Sequence, residues 1–351
     1  MNLKSARIAF LLAAFGLLSA QALEVTTVTA RQRWPWNNLV DIEFVVVTNG
    51  TDAASEFGLN ITGTYANGMK TVTASTFASD PYAAAGTNCV TWDLGTDYPG
   101  LRTTDLALTV TVSDLIASKP AYLVINLSDG STATSYPVRY TTQAPDLSND
   151  TCRTDELWLR RIPAGTFTMG SPSGELGHQA DEIQHSVTLT KGFYIGVFEV
   201  TQKQWFDVMG TRPSWYTNLL YRDTRPAESI SYNGILGTTD GTNWPASSAV
   251  DATSFIGKLR AKTGITSFDL PTEAQWERAC RTGTTTSLNN GTNLTSVSSD
   301  ATLNTLARYL YDGGKIGATV DPGQNSMDTN ATAKVGSYLP NAWGLYDMHG
   351  N

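Results

Sequence analysis

Cysteine, histidine and charge are all scarce in this sequence. Of its 351 residues, three are cysteine and three are histidine, and 16% are charged, against about 25% in an average soluble domain. No C-x-x-C pair occurs, which excludes zinc ribbons and thioredoxin-type redox sites. The net charge of −8 has the wrong sign for a general nucleic-acid binder. The 41% of hydrophobic residues excludes general disorder and favours a β-rich protein of roughly two domains.

Long hydrophobic runs are also missing, except at the start of the chain. Lys4 and Arg7 precede an apolar run over 8–18, and an A-x-A site ends at Ala22. This arrangement is typical of a cleaved secretory signal peptide, because the run is too short to span a bilayer. We therefore expect residues 1–22 to be removed, and the protein to be secreted or periplasmic with no transmembrane segment.

Residues 23–142 alternate between apolar and polar side chains with the period of a β-strand. Leu106, Leu108 and Val110 illustrate this alternation, and turn dipeptides such as Asn-Gly and Asp-Gly separate the runs. Short strands at this spacing predict an all-β sandwich of about seven strands. No catalytic constellation is visible here, so we interpret this domain as a spacer or adhesion module.

One segment of the predicted sandwich combines aromatic and basic residues. The sequence RQRWPWNN contains Arg31, Arg33, Trp34 and Trp36. Surface tryptophans beside arginines could bind a sugar or a peptide. Packing of the tryptophans into the core, under an arginine stem, is the favoured interpretation.

A polar stretch without periodicity follows at 143–156 and is predicted to be a linker. It contains Cys152, while Cys89 lies between predicted strands. Because an exported protein can form disulfides, we hypothesise a Cys89–Cys152 bridge that ties the linker to the sandwich. The third cysteine, Cys280, is then left over.

Helices are predicted only in the second half of the chain. A T-x-x-Q capping box precedes a helix over 202–209, and a second box begins at Thr272. A further helix is predicted over 249–262. Long Gly-, Asn- and Thr-rich stretches lie between and after them, especially over 282–342, so this domain is rich in loops.

Five blocks of this second domain resemble the formylglycine-generating enzyme, or sulfatase-modifying factor, family. They occur in family order and span 157–351. The resemblance implies an α+β, C-type-lectin-like fold with little regular structure, placed behind the N-terminal β-sandwich. The blocks are IPAGTFTMGS at 162–171, VTLTKGFYIGVFEVTQKQW at 187–205, RPAESIS at 225–231, LPTEAQWERACRTGT at 270–284 and VGSYLPNAWGLYDMHGN at 335–351.

The resemblance also implies a chemistry and a rival to it. Family enzymes hold Cu(I) with two cysteines and use O₂ to oxidise a sulfatase cysteine to formylglycine. The resemblance places that pair beyond Asn351, so this chain is expected to be an inactive, incomplete domain. Cys280 resembles a family cysteine that forms a structural disulfide, and its partner would also lie further on. The alternative is a non-catalytic, lectin-like binding or scaffold module for a protein or glycan.

Calcium is the other cofactor that the resemblance implies. Asp347 and Gly350 match family positions that bind Ca²⁺, and a glutamate ligand would follow Asn351. Calcium needs six to eight oxygens, so two residues make only part of a site. Asp312 and Asp328 are candidates for a second site, with ordinary solvated carboxylates as the equal alternative.

Other titratable groups are interpreted as structural. His178 and His185 flank an Asp-Glu pair, but their spacing matches no standard metal-ligand pattern. Glu273 and Glu277 share one helix face, where a dipole partner and a solvated side chain are expected. Motifs for a nucleophile elbow, a phosphate-binding loop or an H-E-x-x-H zinc site do not occur.

Overall fold

The chain forms two compact units in a computed structural model that describes residues 23–33, 38–48, 56–113, 122–239, 249–309, 315–316, 319–320 and 332–351. The first unit comprises residues up to 122 together with 139–144 and 190–193. The second comprises 123–138, 145–189 and 194–351. The predicted signal peptide, Trp34, Trp36, Asp312 and Asp328 lie outside the described residues.

The first ten strands and one short helix cover the N-terminal part of the chain. In chain order they are β1 (Leu23–Gln32), β2 (Leu39–Thr48), β3 (Glu56–Tyr65), β4 (Lys70–Thr73), β5 (Thr76–Phe77), β6 (Tyr82–Ala84), β7 (Gly86–Asp93), α1 (Leu94–Asp97), β8 (Ala107–Ser113), β9 (Tyr122–Asn126) and β10 (Val138–Thr141).

The remaining elements follow in the C-terminal part. They are β11 (Glu156–Ile162), β12 (Gly165–Met169), β13 (His185–Leu189), β14 (Phe193–Gly196), α2 (Gln202–Met209), α3 (Tyr232–Leu236), α4 (Phe255–Thr263), α5 (Glu273–Arg281), β15 (Lys315–Ile316) and β16 (Thr319–Val320). Within the described part of the chain, no helix has the length and hydrophobicity needed to cross a bilayer.

The first unit contains two antiparallel sheets that share one core. Within this unit the strands of one sheet lie in the order β1-β2-β7-β5-β10, and those of the other in the order β4-β3-β6 with β8 also paired to β3. Ile42 and Phe44 from the first sheet and Ile61 from the second are almost fully buried in the same cluster, as alternation with the period of a strand predicts. The indole of buried Trp92 donates to Asp97 at 2.7 Å, which satisfies its one polar atom.

Of the aromatic and basic segment, Arg33 is held by neighbouring strands. Its guanidinium contacts Asp41 at 2.7 Å and Thr91 at 2.8 Å. This ion pair raises the pKa of Arg33 and lowers that of Asp41. A sugar or peptide site at this segment stays a prediction.

The second unit begins earlier than predicted. Residues 123–138, predicted as part of the sandwich, pack with the C-terminal helices. The Tyr136 hydroxyl donates to the carbonyl of Asp207 at 2.8 Å, and Lys262 donates to Ser131 at 2.7 Å. The alternating pattern predicted a strand here, and β9 (Tyr122–Asn126) forms it.

The predicted linker at 143–156 is likewise part of the second unit from residue 145 onwards. Cys152 is 2% exposed and Arg153 is 3% exposed. Arg153 donates to the carbonyl of Val335 at 2.9 Å and lies over the ring of Phe198. Part of this polar sequence is therefore buried, because the carbonyl of distant Val335 accepts a hydrogen bond from Arg153.

Two of the predicted helices begin where expected, and the first of them also ends where expected. Thr201 and Thr272 each form a capping box, for α2 and α5, and α2 ends at Gly210 in the left-handed conformation. The third helix, predicted over 249–262, begins only at 255, because Ser254 caps it. The Asp251 carboxylate instead accepts the backbone N–H groups of the preceding loop.

The capping role of Thr272 at the start of α5 can be tested by removing its hydroxyl group. Thr272→Ala is expected to lower the free energy of unfolding by about 1 kcal/mol, because the hydroxyl accepts the N–H of Gln275 at 3.3 Å. Thr272→Ser keeps the hydroxyl and should retain most of the stability in a urea titration. Equal losses in both variants would contradict the capping role.

Candidate functional site

Two acidic side chains meet in the interior of the second unit. Asp347 lies in the last block of the chain, has a φ of 58° and is 6% exposed. Glu199 lies between β14 and α2, and its carboxyl group pairs with that of Asp347. One oxygen of Asp347 accepts the N–H of Gly336 at 2.7 Å. The other, Oδ1, and Oε2 of Glu199 are shielded from solvent and have no hydrogen-bond partner in the described part of the chain.

The proximity of these carboxyl groups changes how they titrate. Burial raises the pKa of Glu199 well above its ordinary value, and the charge of Asp347 raises it further. Burial also raises the pKa of Asp347, against the lowering effect of the Gly336 hydrogen bond. Two buried carboxyl groups in contact can both stay charged only if a cation compensates them. Otherwise one of the two holds a proton.

Neighbouring residues fix the turn that carries Asp347. The N–H of Gly350 donates to the carbonyl of Asp347 at 3.1 Å, and the carbonyl of Gly350 accepts the N–H of Arg308 at 3.1 Å. A Cβ at Gly350 would lie 2.7 Å from the Arg308 carbonyl oxygen. The side chain of Asn351 accepts the N–H of Ala333 at 2.6 Å. The turn that carries Asp347 therefore requires a glycine at position 350, because the backbones of Gly350 and Arg308 lie in direct contact.

The structure places Glu199 beside Asp347, which was predicted together with Gly350 as a cation ligand. Carboxylate oxygens with free lone pairs suit a hard cation such as Ca²⁺. No group of three or more His, Cys, Asp or Glu side chains in the described residues is arranged to hold a metal ion, so carbonyl groups and water would supply the remaining oxygens. Sequence reasoning missed Glu199, although a lone acidic residue within the apolar run YIGVFEV was a usable signal.

A second feature is an exposed apolar surface between α2 and α3, which we call the apolar loop (residues 212–224). Trp215 is 77% exposed, Leu219 is 74% exposed and Leu220 is 81% exposed. Single exposed apolar residues are common, but three large ones within six residues of chain are typical of an interaction site.

Hydrogen bonds hold the apolar loop in a defined shape. The N–H of Tyr216 donates to Glu228 at 3.0 Å, and its carbonyl accepts from Gln202 at 3.0 Å. The Asn218 side chain accepts the N–H of Leu220 at 3.0 Å, and Arg212 pairs with Asp223 at 2.9 Å. The apolar side chains are therefore held outward by an ordered loop, which lowers the entropy lost on binding.

Glu277 does not have the solvated role that was predicted for it. Its Oε1 accepts the N–H of Gly170 at 2.8 Å and the Nε of Arg281 at 2.7 Å. Arg281 in turn donates to the carbonyl of Gly170 at 2.8 Å. Two side chains of α5 thus bind the backbone N–H and carbonyl of Gly170, which lies in a distant loop. No local sequence pattern could predict this contact.

The histidines lie in separate hydrogen-bonding environments. His178 Nδ1 contacts Ser171 at 2.7 Å, and the same hydroxyl donates to Glu182 at 2.7 Å. His185 Nδ1 contacts the carbonyl of Ile183 at 2.9 Å. Burial lowers the pKa of His349 to about 4, so this ring is neutral and accepts the N–H of Asn289 at 3.0 Å.

The three cysteines are all free thiols, and the described residues contain no Cys89–Cys152 disulfide. Cys89 is exposed on β7, whereas Cys152 is buried and donates to the carbonyl of Asp146 at 3.5 Å. Cys280 is 6% exposed on α5, and burial raises its pKa to about 12. An exported compartment permits a disulfide but does not place two thiols together, which is why the pairing could not be predicted.

Comparison with known proteins supports the second unit as a family domain. A family profile described as "Sulfatase-modifying factor enzyme 1-like domain" matches residues 145–351. The chain is 33% identical over 222 residues to "Chaperone protein LppX" of Paenibacillus barcinonensis, which covers 58% of this chain and 71% of that protein. The structure of PvdO from Pseudomonas aeruginosa is 25% identical, with a TM-score of 0.38, and covers 56% of this chain and 68% of that chain.

The matched region begins at residue 145, which is earlier than the predicted start at 157 and takes in most of the predicted linker. The family profile matches more than half of the chain. The chain belongs to the sulfatase-modifying factor enzyme 1-like family.

Proposed function

We propose that this protein binds an extended, partly apolar segment of a client polypeptide outside the cytoplasm and assists the client's maturation. The apolar loop carries the proposal. It presents an indole and two leucine side chains on an ordered support, and burying each of them on a partner is worth about 1.5–3 kcal/mol before the costs of association.

A polypeptide suits this surface better than a glycan. Leu219 and Leu220 offer only aliphatic contacts, whereas sugar hydroxyls require hydrogen-bonding groups or they lose solvation without replacement. The names of the relatives agree with this choice, since one is called a chaperone and the family is named for a factor that modifies sulfatases. Both names describe action on another protein.

Oxidation of a sulfatase cysteine to formylglycine would be a chemical step after such binding. The described residues do not fit the two-thiolate copper site that this step requires. Cys152 and Cys280 are buried thiols in different segments, and burial raises the pKa of each, which disfavours the thiolate. The binding step is therefore the activity that the described site supports.

We also propose that Glu199 and Asp347 hold Ca²⁺, with the turn at Gly350 as a further source of oxygen. The support is the close approach of these two carboxyl groups, together with Oε2 of Glu199 and Oδ1 of Asp347, which are shielded from solvent and accept no N–H or O–H donor within the described residues. A bound cation would offset the repulsion between the two carboxylates and tie the segment before α2 to the last block of the described chain.

The apolar loop can be tested with a permanently unfolded probe, reduced and carboxymethylated α-lactalbumin carrying a fluorophore. Simultaneous substitution of Trp215, Leu219 and Leu220 by Ser should weaken binding at least tenfold in fluorescence anisotropy, which corresponds to about 1.4 kcal/mol. The matched control replaces Ile183, Val297 and Leu339 by Ser, since these are 72%, 66% and 60% exposed elsewhere in the unit. Equal affinity of both triple variants, or absence of binding by the unaltered protein, would refute the proposal.

A further inference from the structure

A buried arginine of the second unit has no hydrogen-bond partner for its guanidinium group among the described residues. Arg308 is 4% exposed. Its Nε, Nη1 and Nη2 atoms all lack hydrogen-bond partners among the described residues. Its backbone N–H donates to the carbonyl of Gly350 at 3.1 Å.

The two residues before Arg308 are apolar and buried. Leu306 is 2% exposed and Ala307 is fully buried. A guanidinium offers five N–H donors and no acceptor. Burial of an unpaired ion costs several kcal/mol even after relaxation, and each unsatisfied donor adds to the cost.

A carboxylate is the ligand that matches this group. The planar guanidinium presents its N–H donors as a fork, and a carboxylate accepts two of them side by side. The low exposure of Arg308 favours an anion of two or three heavy atoms, or a single acidic side chain that enters end-on.

We propose that Arg308 is a carboxylate-binding site of the second unit. The carboxylate is supplied either by a small free acid or by an acidic side chain of a polypeptide. The site does not depend on the apolar loop, so it can fail or succeed independently of client binding.

The test compares melting temperatures of the full chain in sodium chloride and in sodium formate at equal ionic strength. Unaltered protein should melt about 3 °C or more higher when formate reaches tenfold its dissociation constant. Arg308→Met should melt above the unaltered protein in chloride, because it removes the buried guanidinium but keeps the stem, and it should not respond to formate. Arg102→Met is the control and should respond as the unaltered protein does, since Arg102 is exposed.

A second arm separates the two sources of the carboxylate. A capped Gly-Glu-Gly peptide is compared with its Gly-Gln-Gly counterpart. A shift with formate alone assigns the site to a small acid, and a shift with the glutamate peptide alone assigns it to a polypeptide. If Arg308→Met does not fold, Arg308→Lys keeps the charge without the fork and should show a smaller shift. The proposal is wrong if neither ligand raises the melting temperature, or if the Arg308 variant responds as strongly as the unaltered protein.

Discussion

Gly170→Ala should destabilise the second unit by about 3–5 kcal/mol, in the range reserved for severe single substitutions. Gly170 has a φ of 90°, and a Cβ there would lie 2.7 Å from the carbonyl oxygen of Glu182 and 2.9 Å from that of Ile183. The left-handed conformation alone costs an alanine about 1–2 kcal/mol. The clash adds more because both obstacles are backbone atoms. The loop cannot move aside cheaply, since Glu277 and Arg281 hold the N–H and the carbonyl of Gly170.

Two other glycines of the same loop separate these causes. Gly177 has a φ of 94° but open space around its Cβ position, and Gly174 has neither a positive φ nor a close neighbour. Gly177→Ala should therefore lose about 1 kcal/mol, and Gly174→Ala should stay within about 0.5 kcal/mol of the unaltered protein. Unfolding of the three variants in guanidinium chloride gives the free energies of unfolding to be compared. If Gly170→Ala lost no more stability than Gly177→Ala, the backbone clash and the Glu277 contact would have no energetic weight.

The same loop shows where sequence reasoning reaches its limit. The capping boxes at Thr201 and Thr272 were predicted because a cap and its partner are three residues apart, and a local pattern fully specifies that geometry. The pairing of Glu277 with Arg281 is also local, at i and i+4. The contact of both with Gly170 is not, because it depends on how a loop more than a hundred residues away is placed.

The candidate sites divide in the same way. Resemblance indicated Asp347 and Gly350, because that block has a recognisable pattern. Glu199 gave only a weak signal, as a lone acid in an apolar run, and Arg308 gave none, so both become informative only when burial and hydrogen-bond partners are known. The apolar loop was missed since Trp215, Leu219 and Leu220 have the composition of core residues, and sequence alone does not tell an exposed leucine from a buried one.

Calcium should raise the melting temperature of the second unit by roughly 5–10 °C at a hundredfold excess over its dissociation constant. Binding to the folded state alone contributes about 2.7 kcal/mol at that excess, and each kcal/mol shifts the midpoint of a domain of this size by about 2–4 °C. The shift arises because the cation replaces like-charge repulsion between Glu199 and Asp347 with two attractive contacts. It can be measured by differential scanning calorimetry of the full chain in EGTA and in CaCl₂.

The effect of substitutions in the acidic pair on the melting temperature should change sign between EGTA and CaCl₂. Glu199→Gln and Asp347→Asn each remove one of the paired buried carboxylates, so in EGTA both variants should melt at or above the temperature of the unaltered protein. In CaCl₂ both should melt below it, because the rise caused by calcium is reduced to about 2 °C or less when a ligand charge is lost. Asp181→Asn removes an exposed carboxylate of the same unit and should leave the response to calcium unchanged. A purely structural hydrogen bond would instead make Glu199→Gln equally destabilising with and without calcium, so the reversal of sign is the feature that a cation site alone produces.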